Sequence, residues 1–307
     1  MERFLKPELS RPPDFGLFWA KTWKSLISAE PELHYEPAPA RGVNEHELLK
    51  LSFESLGGVR VAGYAILWRD EEKRPLVVHS HGYGSSCSLQ WKWAHKGYNV
   101  VGVDIRGFGW SRAAAPDISK WGYVLTGIET PESSVMRGAV CDYARAVQVA
   151  QRLCKASITG TVLHGISFSG ALALMAAALL GAADLLAIGV PTFGWAEGRN
   201  FFVKAGSGAE IGRYLEARPE EAEDVMLVLR YFDPVNFADM VSCPALIGVG
   251  LKDDVVPAKT VYAIANHLQG PVEIMKFPVS HSNEPEEKRW EEFQARWLEL
   301  GKVTARS

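Results

Sequence analysis

Residues 163–171, Leu163-His-Gly-Ile-Ser-Phe-Ser-Gly-Ala171, satisfy the pattern G-x-S-x-G at Gly165 and Ser167, then set Ser169 where the second glycine belongs. The run "SITGTVLH" (157–164) leads in with strand-forming residues, and "SGALALMAAALL" (169–180) leads out with a helical apolar pattern. Strand, tight turn and helix in that order is the context in which a serine stands exposed at the end of a sheet. The positions two before and two after it must be small, because the backbones of strand and helix nearly touch. Gly165 meets this requirement, and Ser169 adds only a hydroxymethyl group. Ser169 is the poorer nucleophile, since its own flanking positions hold Ser167 and Ala171. A helix starting just after Ser167 also aims backbone N–H groups and a partial positive charge at a developing oxyanion. The plain alternative is that small residues here only let a helix pack on a strand, and five-letter patterns recur by chance. The partners decide.

Outward from this turn the chain alternates. "PLVVHSH" (75–81), "YNVVGVDI" (98–105), "LLAIGVP" (185–191), "PALIGVGL" (244–251) and "VEIMKFPV" (272–279) are short runs of the type buried on both faces of a sheet. Helical patterns separate most of them, at 133–153, 169–180, 258–268 and 284–300. This predicts an α/β fold with a mainly parallel sheet and helices on both faces. Trp290, Phe293 and Trp297 recur at three and four residues and are expected in the core. Upstream, "ELLKLSFESL" (47–56) and "VRVAGYAILW" (59–68) alternate with period two around Gly57-Gly58, which predicts an antiparallel pair. "RPPDFGLFWAKTWKSL" (11–26) predicts a short helix capped by Asp14, with Phe15, Phe18, Trp19 and Trp23 on one face. Residues 192–240 show no buried strand and are expected to be a helical, cap-like insertion. The whole of 1–307 then reads as one domain with an N-terminal extension of about 1–45.

Composition narrows the function. The net charge of −3, with no run of lysine or arginine, argues against nucleic acid as a partner. "MERFLKPELSRPPDFG" lacks an apolar signal-type region, and the apolar run Ala171–Leu180 is too short to span a bilayer. A soluble, cytoplasmic protein with no membrane partner is expected. Cys87, Cys141, Cys154 and Cys243 lie far apart without C-x-x-C spacing, so reduced, packed thiols are expected.

A serine triad on this architecture takes its acid and then its histidine from later strand ends. "PALIGVGL" is followed by Lys252-Asp253-Asp254, and "VEIMKFPV" by Ser280-His281. His281 would take the serine proton and return one to the leaving alcohol, while Asp253 would orient the ring. Singly, His281 could be a polar loop residue and Asp253 a helix cap; three such groups in order, each at a strand end, favour the catalytic reading. Asp254 stays a rival for the acid. A second oxyanion donor is expected from "HSHGYGSS" (79–86), where the Tyr83 N–H would stand beside that of Phe168. His79 and His81 alternate along a strand, but no third ligand has suitable spacing, so buried hydrogen-bonded histidines are expected and no metal.

Taken together, "DFGLFW", "HGYG", "DIRGFGWS" (104–111), "GYVLTGI" (122–128), "MRGAVCDYARAV" (136–147), "GISFSG", the long block 231–268 and "FPVSHS" (277–282) resemble the acetyl xylan esterase and cephalosporin C deacetylase family of the α/β-hydrolases. The likeness runs almost end to end. It implies Ser167 as nucleophile, Asp253 as acid, His281 as base, and an oxyanion hole from the N–H groups of Tyr83 and Phe168. It further implies a small acetyl ester, such as an acetylated xylo-oligosaccharide or cephalosporin C, as substrate. No cofactor, and an intracellular, often hexameric assembly, complete the picture. Two departures stand out. The family's usual G-G-S-Q-G-G has Ile166, Phe168 and Ser169 in place of Gly, Gln and Gly, and Ser282 replaces the glutamate after the histidine. A phenyl ring beside the nucleophile implies a shift toward more apolar esters.

Arg106, and Arg137 with Asp142, are expected to form structural ion pairs bracing loops near the site. Of ten tryptophans, Trp110, Trp121 and Trp195 lie in stretches that can reach a cleft and offer a face to a sugar ring. Two competing functions stay open: a hydrolase of longer acyl esters, lactones or peptide-like amides, and a non-catalytic binding protein on the same fold.

Overall fold

A computed structural model describes residues 4–28, 30–40, 44–154, 158–203, 205–278 and 286–304. Within them one nine-stranded sheet is built from β1 (His34–Pro37), β2 (His46–Ser55), β3 (Val59–Trp68), β4 (Arg74–His79), β5 (Asn99–Asp104), β6 (Ile158–Ile166), β7 (Leu185–Gly189), β8 (Ala245–Gly250) and β9 (Val272–Phe277). The helices are α1 (Phe15–Ile27), α2 (Trp91–Ala94), α3 (Val135–Leu153), α4 (Phe168–Leu180), α5 (Ala196–Phe202), α6 (Gly206–Ala217), α7 (Ala222–Arg230), α8 (Val235–Ala238), α9 (Ala258–Ala265) and α10 (Glu286–Thr304). The strand order is β1-β2-β3-β5-β4-β6-β7-β8-β9. Pairing is antiparallel from β1 to β5 and parallel from there to β9.

The buried runs are apolar on both faces because both faces are covered. Leu76, Val78, Val101, Leu163, Ile188 and Ile247 share a core with α1, α3, α4 and α9. Their neighbours Val77, Val100, Val162, Ala187 and Leu246 share another with Trp93 of α2 and Phe293 and Trp297 of α10. Successive side chains of a strand point to opposite faces, so one run serves two cores. Gly57 and Gly58 both take positive φ, 79° and 71°, in the tight turn that joins β2 to β3.

The chain leaves β4 toward β5 and returns on the other side at β6, so the loops after β4 and β6 part at that point. In open α/β sheets such a switch point opens a crevice at the carboxyl ends of the strands. This places the 80–90 loop and Ser167 on one rim.

The N-terminal helix forms, but Asp14 does not cap it with its side chain. Its carboxylate instead accepts from the Tyr231 hydroxyl, a partner far along the chain that outcompetes the local N–H groups. Phe15, Phe18 and Trp19 then pack against Tyr231, Phe232 and Phe237. Residues 192–240 hold α5 to α8, with no strand among the described residues. The stretch packs on the main core along its length, through Phe193, Ile211, Val225, Val228 and Leu229 before Tyr231, and Phe237 is completely buried. The buried Asp233 carboxylate ties its two ends together, accepting from the N–H groups of Trp195 at 2.9 Å, Ala196 at 2.7 Å and Val235 at 2.9 Å. Burial pushes that carboxyl up to about 6 despite these bonds.

Candidate active site

Ser167 stands between β6 and α4 with φ 58° and ψ −114°, a backbone conformation that non-glycine residues rarely adopt. The main chain enforces it: the Ser167 N–H donates to the Gly189 carbonyl at 2.8 Å, and the Thr192 and Ala171 N–H groups donate to the Ser167 carbonyl at 3.2 and 3.1 Å. A Cβ on Gly165 would lie 2.3 Å from the Ser169 carbonyl carbon and oxygen. The close approach of strand and helix anticipated from the pattern is therefore present. Ser169 fits because its hydroxyl is used inside the turn, accepting from Ile166 N–H at 3.0 Å and donating to the Ile166 carbonyl at 3.1 Å. Gly165→Ala is expected to cost about 2–4 kcal/mol of stability through this clash and to reduce any serine chemistry at least tenfold; urea unfolding and ester turnover on the same preparation would check both.

Phe168 opens α4, so its N–H is one that a helix start leaves without an intrahelical acceptor. Its ring does not lie open beside the nucleophile to meet an apolar ester. The ring is completely buried, packed among Tyr83 at 5.6 Å, Tyr123 at 5.9 Å, Phe108 at 6.0 Å and Phe193 at 6.1 Å. It cannot shift preference toward apolar esters by touching them, because edge-to-face packing draws it beneath the elbow. The Tyr83–Phe168 ring contact sets the β4 loop against the elbow. The Tyr83 hydroxyl donates to Glu210 Oε2 at 2.6 Å and accepts from Val124 N–H at 3.2 Å. Nothing in the sequence links Glu210 or Val124 to Tyr83, because only the fold brings α6 and the 122–124 turn to this loop.

Beyond β8, Asp253 is buried and Asp254 exposed. Asp253 Oδ1 accepts from the N–H groups of Val255 at 3.0 Å and Val256 at 2.7 Å, which locks the carboxylate. The helix-cap and triad readings of Asp253 are compatible, since both backbone bonds fall on the single oxygen Oδ1. His281 and Ser282 lie outside the described residues.

A recess of about 330 Å³ opens beside the turn, walled by Ser80, His81 and Gly82 of the β4 loop, Ile166, Ser169 and Trp290 among others. None of Trp110, Trp121 and Trp195 lines it. Trp110 is 60% exposed, Trp121 packs edge-on against Tyr214 at 5.4 Å, and Trp195 packs on Phe202 at 5.9 Å. His79 and His81 are buried and hydrogen-bonded. His79 Nε2 meets the Tyr64 hydroxyl at 2.6 Å. His81 Nδ1–H donates to the Gly82 carbonyl at 2.8 Å, leaving Nε2 to accept from Ile105 N–H at 3.1 Å.

Arg106 pairs with Asp142 through two side-chain bonds, Nε to Oδ2 at 2.9 Å and Nη2 to Oδ1 at 2.7 Å. Arg137 does not join it. Its Nε donates to Thr22 Oγ1 at 2.9 Å and its guanidinium lies 5.5 Å from the Phe18 ring centre, so it clamps α1 to α3.

The family model described as Acetyl xylan esterase (AXE1) matches residues 3–299. The solved acetyl xylan esterase from Paenibacillus sp. R4 superposes with a TM-score of 0.87 at 25% identity, covering 97% of this chain and 98% of that one. Acetyl xylan esterase 1 from Thermoanaerobacterium sp. JW/SL YS485 superposes with a TM-score of 0.87 at 23% identity over 97% of each chain, which is a likeness of fold. The acetyl esterase Axe7A of Xylanibacter ruminicola is 21% identical over 291 residues, 90% of this chain, and the chain spans 64% of that relative's length. With a family match over nearly its whole length and the strand–serine–helix elbow in place, the chain belongs to the acetyl xylan esterase family of α/β-hydrolases.

Proposed function

We propose that the protein is a serine carboxylesterase that removes acetyl groups from small acetylated carbohydrates. The observation that carries the reading is Ser167, held at positive φ by main-chain bonds where β6 turns into α4. Its surroundings suit acyl transfer. Ser167 Oγ attacks the acetyl carbonyl and hands its proton to His281. The tetrahedral oxyanion is held by the N–H groups of Phe168 and Tyr83. His281 then protonates the departing sugar hydroxyl, leaving an acetyl-enzyme and a free alcohol. Water, deprotonated by His281, attacks the acetyl-enzyme and releases acetate, restoring the serine. Asp253, buried and fixed by two backbone donors, orients the imidazole and offsets its charge. No step calls for a cofactor or a metal.

The acetyl preference and the carbohydrate leaving group come from the family membership and the relatives' names. Of Trp110, Trp121 and Trp195, only Trp110 has an exposed side chain free to offer a face to a sugar. Residues 192–240 act as a cap-like cover on a single hydrolase domain in this reading. Cytoplasmic location and hexameric assembly are carried over from the family resemblance alone. Among the described residues no helix is long and apolar enough to cross a membrane.

A fluorophosphonate probe should label the protein stoichiometrically, and nitrophenyl esters graded from acetate to octanoate should show kcat/KM falling at least about tenfold between two and eight carbons. Acetylated xylobiose should release acetate. Absent labelling would favour a binding protein, and a maximum at octanoate would move the substrate class to longer acyl esters.

A further inference from the structure

We propose that Glu210 is a positioning residue that holds the oxyanion loop in its working place through the Tyr83 hydroxyl; this rests on the esterase reading above. Glu210 lies on α6, in a stretch that supplies none of the groups assigned to the chemistry. Its Oε2 accepts from the Tyr83 hydroxyl at 2.6 Å, and the same hydroxyl accepts from Val124 N–H at 3.2 Å. Tyr83 is thereby joined to two segments, α6 and the 122–124 turn.

The contact is built into the backbone on the other side as well. A Cβ on Gly122 would stand 2.0 Å from Glu210 Oε2 and 2.4 Å from its carboxyl carbon, and Gly122 has φ +126°. A glycine is needed there both for its conformation and to leave room for the carboxylate. Burial raises the Glu210 carboxyl from its ordinary value, and the phenol rather than a cation receives it. Arg213 and Arg199 act on it only from a distance, in the opposite sense. The Tyr83 ring is confined meanwhile by Phe168, Phe108, Tyr123 and Phe193.

An oxyanion donor is effective because it is already aimed when the charge develops. Tyr83 would supply that donor from its backbone, and its side chain is the anchor that keeps the loop from turning. Without the carboxylate, the phenol loses its acceptor inside a half-buried site and the loop can relax. A shift well under the length of a bond weakens a bond made in the transition state more than binding of the ground-state ester. The loss should therefore fall on kcat and spare KM.

The test uses Glu210→Ala, Glu210→Gln, Tyr83→Phe and the double variant Glu210→Ala/Tyr83→Phe, each in the full chain. Expected for Glu210→Ala is a fall in kcat on p-nitrophenyl acetate of roughly 10- to 100-fold with KM within about threefold. Glu210→Gln keeps an acceptor oxygen and should recover to within about threefold of the wild-type kcat. Tyr83→Phe should resemble Glu210→Ala, and the double variant should be no worse than either, because both remove one bond. Fluorophosphonate labelling should reach completion in every variant, more slowly where the bond is lost. If the wild-type protein neither labels nor hydrolyses esters, the esterase reading fails. If it does and Glu210→Ala keeps its full kcat, or if the two single losses multiply in the double variant, the positioning role alone is overturned. Should Glu210→Ala not fold, Tyr83→Phe with an undiminished kcat overturns it equally.

Discussion

Ser167→Ala is expected to cut turnover of p-nitrophenyl acetate by at least about 10³-fold while changing folding stability by less than about 1 kcal/mol. The two halves of this expectation have separate causes. Covalent acyl transfer has no substitute once the attacking oxygen is gone, so only the background assistance of the oxyanion donors would survive. Stability is spared because the serine side chain makes no capping bond to α4. The bonds that force the residue to φ 58° all use its main chain, and alanine can make them equally. Ser169→Ala supplies the contrast. That hydroxyl bonds both the N–H and the carbonyl of Ile166, so its loss should cost about 1–2 kcal/mol and leave the nucleophile in place. Turnover lost in Ser169→Ala but kept in Ser167→Ala would transfer the nucleophile to the neighbour and end the mechanism as written. A chain-wide loss of stability in Ser167→Ala would show that the elbow depends on the hydroxyl after all.

What the sequence reveals of this site follows from how local each determinant is. The parallel strands were readable because burial on both faces selects continuous valine, isoleucine and leucine, as in Leu76-Val77-Val78. The elbow was readable because steric demand falls on Gly165 and Ser169, two residues either side of the serine. Residue type alone does not choose between Asp253 and Asp254, since adjacent carboxylates differ only in which one the fold buries; only the family resemblance favours Asp253. The ring of Phe168 misled for the same reason: its cage is drawn from residues 83, 108, 123 and 193, four segments that the sequence does not place together. Asp14 carries a cap signal that a distant tyrosine overrides. The edge strand β1 is exposed along its length and has no apolar alternation to announce it.

Acid should destabilise this protein steeply below neutrality, and His164→Phe should remove much of that sensitivity. His164 on β6 lies directly across from His79 on β4, and both are buried. Burial pushes each imidazole down to about 3, so the folded protein keeps them neutral where the unfolded chain, titrating near 6.5, takes up protons. Between these values the unfolded state binds more protons, and stability falls as pH drops from about 6.5 toward 3. Each group contributes roughly 1.4 kcal/mol per pH unit in that window, which makes about 5 kcal/mol for the pair at pH 4.5. That is comparable to the whole stability of an ordinary domain, about 5–15 kcal/mol. His79 has the Tyr64 hydroxyl on Nε2, whereas His164 Nδ1 has no partner among the described residues and sits among Trp93 at 4.9 Å, Trp297 at 5.0 Å and Phe293 at 6.4 Å. An apolar ring suits those walls, and phenylalanine discards both the unmade bond and the acid liability. Its greater bulk adds a packing cost that does not depend on pH, so the quantity to compare is the difference in urea-derived stability between pH 7 and pH 4.5. That difference should shrink by about 2–3 kcal/mol in His164→Phe. An unchanged difference would mean that the imidazole at 164 is already protonated in the folded protein, its charge met through the recess that it and His79 line.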